Sequence, residues 1–156
     1  MIILGIDPGT AITGFGVVNC KKKLVKLVSH GSIKTSIQQK SPQRLLSIHQ
    51  EILSLIKTHK PEVMAIESLF FNTNAKSASA VGQAIGVVKL AAAKNKIEVF
   101  DYPPLRIKMV LAGNGRAKKP QIQSCVRKYL SIRKIPRPTH AADALAVAIC
   151  HWKMTS

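Results

Sequence analysis

Residues 1–10 read MIILGIDPGT: an apolar run that stops at Asp7, followed by the Pro8-Gly9 break. The aliphatic and β-branched residues of Ile2–Asp7 predict a short buried strand, and Pro-Gly, which cannot continue a ladder, ends it. Asp7 is one of seven acids in 156 residues that also carry 24 Lys plus Arg. A carboxylate at the end of such a strand costs free energy unless it is hydrogen-bonded, paired with a cation or bound to a metal. Its partners must come from elsewhere in the chain.

Outward from this strand, the turn-rich segment 8–13 leads to a second strand over 14–20 and, after three lysines, a third over 24–33. Together they predict an antiparallel meander. Segment 41–61 carries Leu45, Ile48, Ile52 and Ile56 at helical spacing, with Ser41 expected as N-cap, Pro42 in the first turn and Pro61 as the stop. A buried strand (62–68), a long Ala/Gly/Ser-rich helix (74–95), a fifth strand (97–102) and a short helix (103–112) follow. Residues 113–120, GNGRAKKP, are expected to form a loop, and 121–130 and 140–152 the last two helices. A meander followed by alternating helix and strand predicts an α/β fold, a mixed five-stranded sheet with helices on both faces. The chain is expected to be a single domain over residues 1–156, with no repeat or linker.

The formal net charge is +17 and the pI about 10.3. So strong a skew points to a polyanionic partner, nucleic acid above all. A membrane surface would call for a basic amphipathic helix or a lipidation signal, and neither is present; no apolar run approaches the roughly 20 residues that span a bilayer. Cys20, Cys125 and Cys150 form no CxxC pair, and no basic segment precedes the first apolar run, so free thiols in a reducing cytoplasm are expected.

Glu51, Glu62, Glu98 and Asp101 fall on polar faces or element ends and are expected at the surface. Asp7, Glu67 and Asp143 differ. Two end apolar strands, and the third sits inside the otherwise apolar HAADALAVAIC. Two strand ends and one helix start can converge at one rim of a mixed sheet, where ligands gather in open α/β folds. His140 precedes Asp143 by three residues and shares its helical face. Carboxylates with one imidazole suit Mg²⁺ or Mn²⁺; no Cys/His spacing supports zinc. On a very basic protein, such a site points to phosphodiester hydrolysis by a two-metal scheme. Asp7, on the expected central strand, is the candidate bridging ligand.

The blocks LGIDPGTAITGFGVV, AIESLFFNTNAKSASAVGQAIGV and THAADALAVAICH together resemble the RuvC family of Holliday-junction resolvases, in the same element order and essentially end to end. The resemblance implies a ribonuclease H-like fold, a homodimer, and magnesium-dependent endonuclease action on four-way DNA junctions in recombination and repair. It also implies a RuvA–RuvB branch-migration complex as partner. The family's metal-site positions fall on Asp7, Glu67, His140 and Asp143; some members carry Asp at the position of His140. The family's base-contacting aromatic maps onto Phe70, its supporting lysines onto Lys108 and Lys119, and the small-residue helix with Ala78, Gly82, Ile85 and Gly86 onto its dimer interface. Two Mg²⁺ per site are expected, with Mn²⁺ able to substitute.

Other features fit a DNA-facing surface. Phe70 and Phe71 are adjacent, so in extended chain one can pack inward while the other stacks on an unpaired base. Arg116, Lys118 and Lys119 crowd a glycine-loosened loop suited to a phosphate backbone. That loop lacks the GK[ST] of a phosphate loop, so no nucleotide cofactor is expected. GIDPGT also resembles the first phosphate motif of sugar kinases and actin-like ATPases, but those need roughly twice this length. A ribonuclease H-like nuclease with another nucleic-acid substrate, and a basic protein that holds junctions without cutting them, are the remaining alternatives.

Overall fold

The computed structural model describes residues 1–68 and 75–156. Phe70 and Phe71 lie outside the described residues, so the assignment of one ring inward and one outward has no structural counterpart here.

Five strands form one sheet in the order β3-β2-β1-β4-β5. They are β1 (Ile2–Asp7), β2 (Ile12–Lys21), β3 (Leu24–Lys34), β4 (Val63–Glu67) and β5 (Glu98–Tyr102). The meander pairs antiparallel, β1 with β2 and β2 with β3. Beyond β1 the pairing turns parallel, β1 with β4 and β4 with β5. The strand that carries Asp7 is therefore central, and the sheet is mixed as expected.

Five helices follow: α1 (Ser41–His59), α2 (Ala75–Lys94), α3 (Pro104–Ala112), α4 (Lys119–Tyr129) and α5 (Thr139–Thr155). Neighbouring side chains of a strand point to opposite faces, and the core divides accordingly. Leu4, Ile6, Val17, Met64 and Ile66 pack with Ile48, Ile52 and Ile56 of α1 and Val88 of α2. Ile3, Val18 and Ala65 pack on the other face with α3, α4 and α5. Two expected boundaries shift. Lys40, not Ser41, occupies the N-cap of α1 and makes no side-chain cap bond; Pro42 tolerates either of the first helical positions, so it did not fix the register. Lys119 and Pro120 belong to α4 rather than to the loop, because proline with no N–H to lose sits well in a first turn. The Gln121 side chain accepts a hydrogen bond from the Lys118 N–H at 2.8 Å and closes that helix start.

Helix α5 is buried on all sides: ten of the eleven residues Ala141–His151 are buried, Asp143 being the exception. An apolar helix of this kind must be enclosed by the protein, and three glycines let it lie close on the sheet. A Cβ on Gly5 would overlap the Ala144 carbonyl, one on Gly14 the His140 carbonyl, and one on Gly16 the Leu145 side chain at 2.6 Å. These contacts set the first turns of α5 against the ends of β1 and β2. Gly14→Ala is expected to lower stability by about 3 kcal/mol, the upper end of ordinary overpacking, and to lose activity with it because His140 must move. Thermal unfolding and cleavage measured on the same preparation check this; a variant with unchanged Tm would show that α5 does not depend on the close approach.

Candidate active site

Asp7 ends β1 and Glu67 ends β4, and the parallel register Ile6↔Ile66 places them side by side at one end of the sheet. Helix α5 delivers His140 and Asp143 to the same rim, one on either side of Ala141 and Ala142, which are buried beneath them. The His140 Nδ1 lies 3.0 Å from Asp7 Oδ2. Ligand atoms of Asp7, His140 and Asp143 all fall within 4.8 Å of one another. Asp143 is the fifth residue of α5, past the N-terminal turn, so the helix dipole at that turn does not explain it.

The electrostatics describe a site short of positive charge. Burial raises the Glu67 carboxyl to about 8, reinforced by the negative charges of Asp7 and Asp143 and by a hydrogen bond with Asp7, and opposed by Lys119. Burial also raises Asp7, against the hydrogen bond from His140 that favours its ionised form. Both carboxyls are thus pushed towards their protonated forms, burial being the leading cause for each. The Lys119 Nζ sits 2.9 Å from Asp143 Oδ2, and this bond lifts the ammonium above the ordinary lysine value. Lys119 remains about half exposed, so the ammonium also reaches solvent at the cleft.

A cleft of about 240 Å³ opens beside the cluster, lined by Glu67, Lys108, Lys119, Ile122, Asp143 and Pro104 among others. Lys108 and Lys119 thus flank the carboxylates. Arg116 and Lys118 are exposed on the loop before α4 and line no part of that cleft. Phe70 follows Glu67 by three residues, outside the described segment. Glu51, Glu62, Glu98 and Asp101 are exposed, as expected. Reading from sequence missed the glycines that seat α5. A glycine inside a strand is the available signal for close backbone approach, and Gly5, Gly14 and Gly16 all carry it.

The donor set fits a hard divalent cation. It is three carboxylates and one imidazole, and oxygen-rich sets of this kind favour such ions over softer ones. No cysteine joins this cluster among the described residues; Cys20 and Cys150 are buried, with their thiols pushed up to about 11 by that burial.

A family model described as crossover junction endodeoxyribonuclease RuvC matches residues 3–151. The chain belongs to this family. It is 48% identical over 151 residues to the crossover junction endodeoxyribonuclease RuvC of Alkaliphilus oremlandii, covering 97% of this chain and 92% of that one. The solved Thermus thermophilus RuvC in complex with Holliday junction substrate superposes with a TM-score of 0.95 at 37% identity, covering 99% of this chain and 94% of that chain. The yeast mitochondrial Holliday junction resolvase Ydc2, 12% identical, superposes with a TM-score of 0.63 over 97% of this chain and 80% of that chain, which shows a common fold. The RuvC fold expected from the sequence, a ribonuclease H-like mixed sheet with helices on both faces, is the one observed. No helix among the described residues is long and apolar enough to cross a membrane.

Proposed function

We propose that Asp7, Glu67, His140 and Asp143 hold Mg²⁺, two ions per site, and that a homodimer of this chain cuts two opposed strands of a four-way DNA junction symmetrically. That the chain is a junction-cutting endonuclease follows from its family; the residue roles, the metal and the assembly are our reading. The observation that carries it is the convergence of Asp7, His140 and Asp143 within 4.8 Å, with Glu67 hydrogen-bonded to Asp7 beside them, in a chain of net charge +17.

Divalent cations bound there would supply Lewis-acid charge at the scissile phosphate and a water acidic enough to attack it. The residues do the rest. Asp7 projects from the rigid central strand and touches both His140 and Glu67, the position expected of a ligand shared between two ions. The hydrogen bond between His140 Nδ1 and Asp7 holds the ring beside that carboxylate at the rim of the cluster. Glu67, whose ionised form is disfavoured by burial and by the charges of Asp7 and Asp143, would be ionised by a cation held beside it. Lys119 is held at the site by Asp143 and is free to transfer to a phosphate oxygen; Lys108, on the cleft wall, adds charge on the same side. Both neutralise charge that grows on the phosphate during displacement.

The dimer rests on α2 and on the symmetry of the substrate. Ala78, Gly82 and Ile85 are half-buried while Gly86 is exposed with open space around its Cα, and Leu90 one turn on is 54% exposed. A second helix can approach closely there, and a two-fold dimer supplies two sites for two opposed cuts. We read the chain as one nuclease domain acting in the cytoplasm, with a RuvA–RuvB complex as partner, as the family resemblance implies.

The test is incubation with four-way, three-way and linear duplex DNA, with and without Mg²⁺. Cleavage confined to the four-way junction and dependent on Mg²⁺ is expected; equal cutting of linear duplex, or cutting in chelator, would overturn the reading. Phe70→Ala is expected to slow cleavage of intact junctions by about 5- to 150-fold, the value of one base stack of roughly 1–3 kcal/mol, with a smaller loss of binding. Single-turnover rates set beside gel-shift affinities check this, and a matched loss in both would remove the stacking role.

A further inference from the structure

Between residues 102 and 142 the chain has ten Lys or Arg and no Asp or Glu. Two of the ten, Lys108 and Lys119, line the cleft already described. A second set gathers elsewhere. Ser124 and Arg127 of α4, with Arg133, Lys134, Ile135 and Arg137 of the segment before α5, line one open groove of about 680 Å³. Among the described residues none of these four cationic side chains has an ion-pair partner. Arg133, Lys134 and Arg137 are exposed, while Arg127 is half-buried and placed by the helix.

Isolated exposed lysines and arginines need no explanation. Four cations converging on one concavity repel one another, and a groove walled by one sign of charge concentrates potential for a polyanion. Its position narrows the choice of polyanion. Arg127 lies eight residues along α4 from Lys119, about 12 Å at 1.5 Å per residue. Arg137 precedes His140 by three residues, so their backbones are at most about 11 Å apart. Both walls of the groove are therefore tied to the candidate catalytic cluster by short stretches of chain, one a rigid helix. A DNA strand whose scissile phosphate lies at the cluster has further phosphates within that distance.

We propose that this groove is a second phosphate subsite, in which Arg127, Arg133, Lys134 and Arg137 grip the DNA backbone of one junction arm a few nucleotides from the cut. The proposal rests on the nuclease reading above and extends it to residues outside the metal cluster. Contacts of this kind fix the register of an arm without reading its sequence. They hold the arm against the sheet rim, and they make affinity salt-dependent through counterion release.

The test compares two triple variants that lose the same charge. Arg133→Gln/Lys134→Gln/Arg137→Gln alters the groove at exposed side chains. Lys21→Gln/Lys23→Gln/Lys26→Gln alters the β2–β3 hairpin, exposed at the far end of the sheet. Lys21 is seven residues along β2 from Gly14, the partner of Asp7, or about 23 Å. Binding to a four-way junction is measured in chelator across about 50–200 mM salt. The groove variant is expected to lose about 2.7 from the steepness of log affinity against log salt, at about 0.9 per phosphate contact; the hairpin variant is expected to lose little.

A second measurement replaces single phosphates near the cut by neutral methylphosphonates. Wild type should lose affinity at two or more positions where the groove variant loses none further. Equal salt slopes in the two triple variants, or additive losses from groove and phosphate changes, would overturn the proposal and leave the groove to an acidic protein partner. Failure of the junction-cutting reading would show separately, as wild-type protein that does not cut junctions, and would leave the salt comparison intact.

Discussion

Asp7→Asn is expected to abolish junction cleavage while junction binding survives or tightens. Asp7 stands on the central strand, where β2 and β4 hold its backbone from both sides. It contacts His140 at 3.0 Å and hydrogen-bonds with Glu67, so no other side chain of the cluster is as well placed to hold two ions at once. Asparagine keeps the shape and an oxygen to receive the His140 N–H, so the fold survives. It removes the negative charge, and with it the attraction for a cation. Two further effects follow from the same loss. The DNA backbone no longer faces that carboxylate, so affinity in chelator should hold or rise. Burial already disfavours the ionised form of Asp7, so the metal-free variant should unfold at a slightly higher temperature than wild type. Cleavage, gel-shift affinity in chelator and thermal unfolding together separate a lost ligand from a lost fold. Near-normal cutting would remove Asp7 from the mechanism, and a lowered Tm would reassign it to structure.

How far the sequence carries such a site depends on whether the signal is local. β1 was legible because an apolar run ending in Asp7-Pro8-Gly9 has one sensible reading, and its observed span, Ile2–Asp7, is the expected one. Asp143 was legible as the polar exception in an apolar segment, and its burial pattern bears that out. The pairing of Lys119 with Asp143 was not legible. Lys119-Pro120 reads equally as loop punctuation or as a helix start, and only the packing of α4 against α5 decides which carboxylate the ammonium meets. The closeness of α5 to the sheet was likewise hidden. Gly5, Gly14 and Gly16 announce that some backbone comes near, but not that it is the His140 and Ala144 carbonyls. The basic groove is lined by residues on either side of Ser131, which stands in left-handed conformation with φ 53°, so its charges meet through the path of the chain rather than through a local spacing.

Glu67→Gln is expected to remove cleavage and also to change how stability depends on pH, which isolates the charge problem the site is built around. In the folded chain without metal the Glu67 carboxyl titrates at about 8, against 4.5 ordinarily. Between those values the folded protein keeps a proton that the unfolded chain has released. The contribution of Glu67 to the stability of the metal-free protein is therefore fully present below about 4.5, falls as pH rises through the window, and is gone above about 8. One proton limits the slope to about 1.4 kcal/mol per pH unit. Asp7 is raised for the same leading reason and adds a slope of the same sign. His151, buried against Phe100 and hydrogen-bonded to Tyr102 at 2.7 Å, is lowered by burial and gives the opposite sign, stability gained as pH rises through the region below 6.5. Glutamine cannot titrate, so the difference between wild type and Glu67→Gln isolates the carboxyl from His151. A divalent cation reverses the balance: it takes the place of the proton, so wild-type binding near pH 7 should release protons and strengthen as pH rises towards 8. Calorimetry in two buffers of different ionisation enthalpy reads that release directly, and thermal unfolding in chelator reads the slope. Glu67→Gln should show a flatter slope and fewer protons released. Identical slopes in the two proteins would mean that Glu67 is ionised without metal, and that Lys119 at Asp143 already supplies the positive charge the cluster needs.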